Sequence, residues 1–210
     1  MIWIKVCGIT RLEDALTAAG AGADALGFVF APSPRQVSAQ QAKEITSRLP
    51  RGFSLEAVGV FVDAPADDIL RAAEAAGLTT VQLHGSEDPD FCSRLSLPVI
   101  KAFRVRDAES LEALSAYRGA VKAMLLDTFV PKQAGGTGRR FDLSLAVQAR
   151  HLGSIIIAGG LGADNVAEVI ATARPFGVDA SSRLESAPGI KDAGLVRGYI
   201  TNARKADATT

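Results

Sequence analysis

Ser154-Ile155-Ile156-Ile157-Ala158-Gly159-Gly160-Leu161-Gly162 is an apolar, β-branched run with no polar alternation, followed by a glycine-rich turn that leads past Asp164 into a helix-forming stretch. A strand with one wet face alternates apolar and polar residues, whereas one that is apolar throughout suits a parallel sheet covered on both faces. Seven other short runs of this kind lie along the chain: Ile2 to Val6, Ala25 to Phe30, Ala57 to Val62, Thr80 to His84, Val99 to Val105, Ala123 to Asp127 and Gly177 to Ala180. Helical stretches fall between them, at Arg11 to Gly22, Ala39 to Leu49, Ala66 to Ala76, Leu111 to Tyr117, Ala163 to Arg174 and Ala193 to Ala203. Pro65 opens the third helix, Gly77 follows its end and Pro50 follows the second, as helix start and stop signals require. The weakest unit is Glu87 to Leu97, where Pro89 and Pro98 leave room for a turn or two of helix.

Eight strand–helix units in 210 residues average roughly 26 residues each, which predicts an α/β fold closed as a single-domain (β/α)8 TIM barrel rather than an open doubly wound sheet. The barrel is expected over residues 1–204, with 205–210 a flexible C-terminal tail that lacks apolar anchors. One connection is long: Thr128 to Phe141 carries Pro131, Lys132, Gly135, Gly136 and Gly138 without apolar periodicity, as functional lids often do.

Composition excludes several classes of function. Hydrophobic residues make up 48% and charged residues 22% of the chain, and Lys plus Arg balance Asp plus Glu at 23 each. No field of either sign draws nucleic acid or an anionic membrane, so an anionic ligand needs a local site. No apolar run approaches the ~20 residues that span a bilayer, and Lys5 interrupts the apolar start, so a cytoplasmic protein with free thiols is expected. Two histidines, His84 and His151, and two distant cysteines, Cys7 and Cys92, make neither a zinc pattern nor a Cys/His nucleophile pair, and no metal is expected. A single glycine, Gly8, in the first strand–helix turn supports neither a dinucleotide fingerprint nor a Walker A loop, so no cofactor is expected.

In such barrels chemistry sits at the C-terminal ends of the strands. The polar residues there are Cys7, Arg35, Asp63, Gln82, His84, Arg104, Asp127, Asp179, Ser181 and Ser182, together with Gly159 and Gly160. Glycines let backbone approach a ligand and N–H groups at helix starts hold anions, so Gly159, Gly160, Ser181 and Ser182 read as a phosphate site, or as a plain turn into the seventh helix. Cys7 is either a small buried hydrophobe or a thiolate that acts as nucleophile or base. Asp127 is either a turn cap or a partly desolvated carboxyl that donates a proton. Arg35, between prolines in Ala31-Pro32-Ser33-Pro34-Arg35, is an ordinary loop arginine or a bidentate carboxylate clamp. Gln82 and His84 share a strand face and line the mouth, unless His84 is a structural histidine.

The ordered motifs Lys5-Val6-Cys7-Gly8-Ile9-Thr10, Ala25-Leu26-Gly27-Phe28-Val29-Phe30, Ser33-Pro34-Arg35, Val58-Gly59-Val60-Phe61, Val81-Gln82-Leu83-His84-Gly85, Gly135-Gly136-Thr137-Gly138 and Ala158-Gly159-Gly160-Leu161 resemble the phosphoribosylanthranilate isomerase family. The resemblance runs from Ile4 to about Arg197. It implies a cofactor- and metal-free Amadori rearrangement of N-(5-phosphoribosyl)anthranilate in tryptophan biosynthesis, with Cys7 as general base and Asp127 as general acid. It further implies that Arg35 holds the anthranilate carboxylate, that Gly135 to Gly138 form a flap, and that Gly160, Ser181 and Ser182 bind phosphate. Gln82, His84, Gly136, Gly138, Gly159 and Asp179 complete the expected substrate-binding set. A monomer or homodimer is expected, and the resemblance implies association with an indole-glycerol-phosphate synthase, a fusion partner in some members.

One departure stands out. After Asp179-Ala180-Ser181-Ser182 the family pattern continues with Gly, Val and Glu, whereas this chain has Arg183, Leu184 and Glu185. A non-glycine is strained there if the backbone needs a positive φ. Two rival readings are a phosphoribosyl isomerase of histidine biosynthesis, which typically carries an aspartate in place of Cys7, and a silent sugar-phosphate-binding barrel.

Overall fold

The structure, a computed structural model, describes residues 1–49, 55–105, 107, 109–127 and 143–209. Eight parallel strands form it: β1 (Trp3–Cys7), β2 (Ala25–Val29), β3 (Glu56–Phe61), β4 (Thr80–Leu83), β5 (Val99–Arg104), β6 (Ala123–Asp127), β7 (Ile155–Ala158) and β8 (Gly177–Ala180). Each pairs with its neighbours in sequence, and β8 returns to β1 to close the barrel. Among the helices are α1 (Leu12–Ala21), α2 (Ala39–Thr46), α3 (Ala66–Ala76), α4 (Pro89–Arg94), α5 (Leu143–Ala149), α6 (Val166–Ala173) and α7 (Ala193–Ala208).

The pleat sends alternate residues to opposite faces, which divides the core in two. Outward residues such as Ile4, Leu26 and Leu126 pack with helix residues such as Ala15, Ile69 and Ile170. Inward residues Trp3, Ala25, Val58, Ile100, Leu125 and Ile156 fill the barrel interior. With both faces covered, Ile155, Ile156 and Ile157 are all at most 1% exposed, which explains why that run shows no alternation.

Local chemistry fixes the helix starts. Ser38 and Gln41 form a capping box on α2, and the Asp88 and Asp192 carboxylates accept from the N–H groups of Phe91 and Leu195. The weak unit therefore yields a six-residue helix, α4, capped by Asp88.

Two expectations need correction. Leu111 to Tyr117 belongs to a 3-10 helix that begins at Glu109, not to an α-helix. The tail expected from residue 205 is instead helical through Ala208: Ala206 is buried, and Asp207 Oδ2 accepts from the Ile2 N–H at 2.9 Å. That helix end seats the first strand, a long-range contact with no local signature. The sequence reading also lacked α5 and a hairpin after β8, formed by β9 (Glu185–Ala187) and β10 (Ile190–Lys191).

Candidate active site

On β1 the inward residues are Trp3, Lys5 and Cys7 in order from the bottom of the barrel to its mouth. On β6, Ala123 and Leu125 lead in the same way to Asp127. Cys7 and Asp127 thus enter, from strands far apart in sequence, one cavity of about 380 Å³ at the C-terminal end. Its walls also hold Arg35, Gln82, His84, Gly159, Gly160, Asp179, Ser181 and Ser182, so the barrel brings together every described candidate for catalysis or substrate binding. Gly136 and Gly138 lie outside the described residues. Asp63 and Arg104 face a neighbouring cavity with Lys101 and Tyr117 instead.

Cys7 stands above a buried ion pair that joins the ends of the chain. Lys5 Nζ donates to Asp179 Oδ2 at 2.8 Å, across the β1–β8 seam where the two residues are register partners. Burial pushes the Cys7 thiol up, against the pull of Lys5. Burial also pushes the Asp179 carboxyl up, with Lys5 again opposing. Burial alone works against the Lys5 ammonium, yet Asp179 and Cys7 together hold its pKa above the ordinary lysine value. Asp179 Oδ1 and Gln82 Oε1 are buried acceptors without a hydrogen-bond partner among the described residues.

Asp127 keeps a quarter of its side chain exposed, and His84 Nε2 approaches its Oδ2 to 3.5 Å without forming a hydrogen bond. His84 therefore stands at the mouth beside the candidate acid, its Nε2 without a hydrogen-bond partner among the described residues.

Arg35 follows β2 and is gripped from the hairpin. Its Nε and Nη2 donate to the two Glu185 carboxylate oxygens, each at 2.7 Å, and Lys191 Nζ donates to Glu185 Oε1 at 2.8 Å. Burial works against the Glu185 carboxylate, but hydrogen bonds from Arg35 and Lys191 hold its pKa below the usual range.

At the opposite wall, Gly159 and Gly160 have φ of 90° and 67°, a backbone that other residues rarely adopt. The Gly160 carbonyl accepts from Asn165 Nδ2 at 3.0 Å and from Arg183 Nη1 at 3.1 Å, while Arg183 Nη2 donates to Asp164 Oδ2 at 2.9 Å. Arg183 sits in a 3-10 turn, Ser182–Leu184. Among the described non-glycine residues only Asp63 and Arg174 have positive φ, so Arg183 carries none of the strain its position suggested. Its side chain instead ties the loops after β7 and β8 together.

Sequence reasoning missed Lys5, Lys191 and the grip of Glu185. For Lys5 a signal was present: a lysine inside an apolar strand, two residues before Cys7 and so on the same face. Lys191 and Glu185 meet Arg35 across a hairpin, and nothing local marks that contact.

The chain matches the family described as N-(5'phosphoribosyl)anthranilate (PRA) isomerase over residues 4–202. It is 50% identical over 206 residues to the N-(5'-phosphoribosyl)anthranilate isomerase of Pelobacter propionicus, covering 98% of this chain and 97% of that one. Among solved structures it resembles the phosphoribosyl anthranilate isomerase of Thermotoga maritima, with a TM-score of 0.90 and 41% identity over 98% of this chain and 100% of that one. A phosphoribosyl anthranilate isomerase in complex with reduced 1-(o-carboxyphenylamino)-1-deoxyribulose 5-phosphate superposes with a TM-score of 0.87 at 39% identity, over 98% of this chain and 100% of that one.

Proposed function

The chain belongs to the phosphoribosylanthranilate isomerase family and is an enzyme of tryptophan biosynthesis, and we propose that Cys7 and Asp127 are the base and the acid of its reaction. The reaction converts N-(5'-phosphoribosyl)anthranilate into 1-(2-carboxyphenylamino)-1-deoxyribulose 5-phosphate. The observation that carries the assignment is that a thiol from β1 and a carboxyl from β6 face one cavity, with a glycine- and serine-lined wall on one side and Arg35 on another.

Asp127 donates its proton to the furanose ring oxygen, which breaks the bond from that oxygen to C1 and leaves a protonated Schiff base between C1 and the anthranilate nitrogen. That cation acidifies the C2 proton. The Cys7 thiolate removes it, and the electron pair moves to form an enolamine. The C2 hydroxyl proton then leaves as C1 is protonated, which gives the ketone. General acid and general base steps of this kind contribute ~10²- to 10⁴-fold each.

Gly159, Gly160, Ser181 and Ser182 suit the phosphate, because positive-φ glycines and loop donors let an anion approach backbone closely. Arg35 suits the anthranilate carboxylate, with its guanidinium held flat by Glu185. Gln82 Oε1 and Asp179 Oδ1, without a partner among the described residues, suit sugar hydroxyls. Gly136 and Gly138, outside the described residues, belong to the same proposal as substrate-binding residues. No described helix is long and apolar enough to cross a membrane. A cytoplasmic setting and association with an indole-glycerol-phosphate synthase belong to the same proposal.

The test is the decay of anthranilate-type fluorescence when purified protein meets freshly made phosphoribosylanthranilate, with Cys7→Ala alongside to measure spontaneous breakdown. Rapid decay in the parent alone supports the assignment of Cys7. Equal decay in both rejects it.

A further inference from the structure

The barrel wall is bare beneath Cys7. A Cβ built on Gly27 of β2 would lie 2.6 Å from Cys7 Sγ and 3.0 Å from Lys5 Cε, distances at which something must shift. Gly27 is the register partner of Cys7, so the thiol and the end of the Lys5 side chain crowd over the same backbone position. Lys5 is fully buried, and Asp179 Oδ2, 2.8 Å away, fixes its ammonium at this height in the barrel. Nothing in the proposed reaction uses that ammonium directly.

We propose that Lys5 is a positioning residue that favours the thiolate of Cys7 against the effect of burial, with its ammonium anchored by Asp179 and its chain brought beside the thiol in space that a glycine at 27 leaves open. The inference rests on the reading of Cys7 as the base. A thiol buried at the base of the barrel mouth is a poor base unless a fixed cation stands beside it, because burial disfavours the charged form. Lys5 is that cation, and it pulls against the burial of the thiol. Lys191 on β10 adds a smaller pull in the same direction, and Asp179 on β8 opposes both. Arg35, in the loop after β2, interacts with Cys7 from the far side. Asp179 thus has two opposed effects: it repels the thiolate and it anchors the lysine that stabilises it.

The experiment follows the pH dependence of Cys7 alkylation by iodoacetamide in the full chain, on a Cys92→Ala background in which Cys7 is the single thiol. An opposite charge at this range moves a pKa by about 1–3 units. Lys5→Met is therefore expected to raise the alkylation midpoint by that much. Turnover at neutral pH should fall about 10- to 1000-fold in step, because each unit removes tenfold of the thiolate. Asp179→Asn is expected to move the midpoint the other way, since it removes the repelling carboxylate and leaves the ammonium to Cys7. Packing damage alone does not produce opposite shifts. An unmoved midpoint in Lys5→Met that retains its circular dichroism overturns the proposal. Should Lys5→Met fail to fold, Lys5→Gln decides: a raised midpoint supports the proposal, and an unmoved or lowered midpoint overturns it. Cys7→Ala separates this from the parent reading, because full turnover in Cys7→Ala removes Cys7 as base wherever the midpoints lie.

Discussion

Arg35 and Glu185 meet edge to edge, with Nε and Nη2 of the guanidinium each 2.7 Å from one carboxylate oxygen. The pair joins the loop after β2 to the hairpin after β8 and leaves the arginine at the cavity wall with its plane fixed. Lysine offers a point charge and no planar fork. A charged hydrogen bond contributes about 1.5–3 kcal/mol, or roughly 10- to 150-fold in binding. Arg35→Leu is expected to raise KM for the anthranilate substrate by that factor, and Arg35→Lys to recover little of it. A KM near the parent's in both variants would remove Arg35 from carboxylate recognition.

Arg183 reaches back to the Gly160 carbonyl from a position where the resembling family carries glycine. Its partner Asp164 has 65% of its side chain exposed, and exposed pairs contribute about 0–1 kcal/mol. Arg183→Gly should therefore loosen the phosphate wall modestly, with KM rising up to about fivefold and kcat nearly unchanged. A rise well beyond tenfold in steady-state kinetics would show that Arg183 itself grips the phosphate.

Glu185 has a lowered pKa in the folded protein, so the sign of its contribution is fixed. The hairpin clamp stabilises the fold above the ordinary glutamate pKa of ~4.3 and loses that contribution as pH falls through the depressed folded value. Tm measured between neutral and acidic pH should fall less steeply in Glu185→Gln than in the parent. Parallel curves would mean that the clamp contributes nothing to acid sensitivity.

The last helix turn ties down the first strand through Asp207 and Ile2. Removal of residues 205–210 takes away that bond and the buried Ala206. A loss of about 1–2 kcal/mol is expected, which for a chain of this size lowers Tm by about 2–8 °C. An unchanged Tm in calorimetry would mean that the turn is dispensable.

Cys7 and Cys92 should titrate apart. Burial pushes both thiols up, Cys92 to about 11, with Lys5 opposing it at Cys7 and Lys101 opposing it at Cys92. Ultraviolet thiolate absorbance of Cys92→Ala should give a Cys7 midpoint above the free-thiol value of ~8.5. A midpoint below it would mean that the cations outweigh burial.

Eight strands were legible because parallel strands covered on both faces must be apolar without interruption, as at Ile155–Ile157, and such runs stand out from helix periodicity. The cavity that gathers the candidate residues was legible for a related reason: Cys7, Gln82, Asp127 and Asp179 are among the polar residues that end or interrupt those runs. Longer-range pairings were not. Lys5 looks like a break in an apolar start until β8 brings Asp179, 174 positions away, to its side. Glu185 and Lys191 acquire meaning only when the hairpin folds back on Arg35. The end of α7 looked like a tail because its anchor, the Ile2 N–H, belongs to the opposite terminus.

The most direct test of the central claim is turnover of Cys7→Ala and Asp127→Asn measured beside their binding of the reduced product analogue. The account predicts that turnover falls ~10²- to 10⁴-fold in each variant, while the analogue still binds within severalfold of the parent. Near-parental turnover in either folded variant would contradict the role given to that residue.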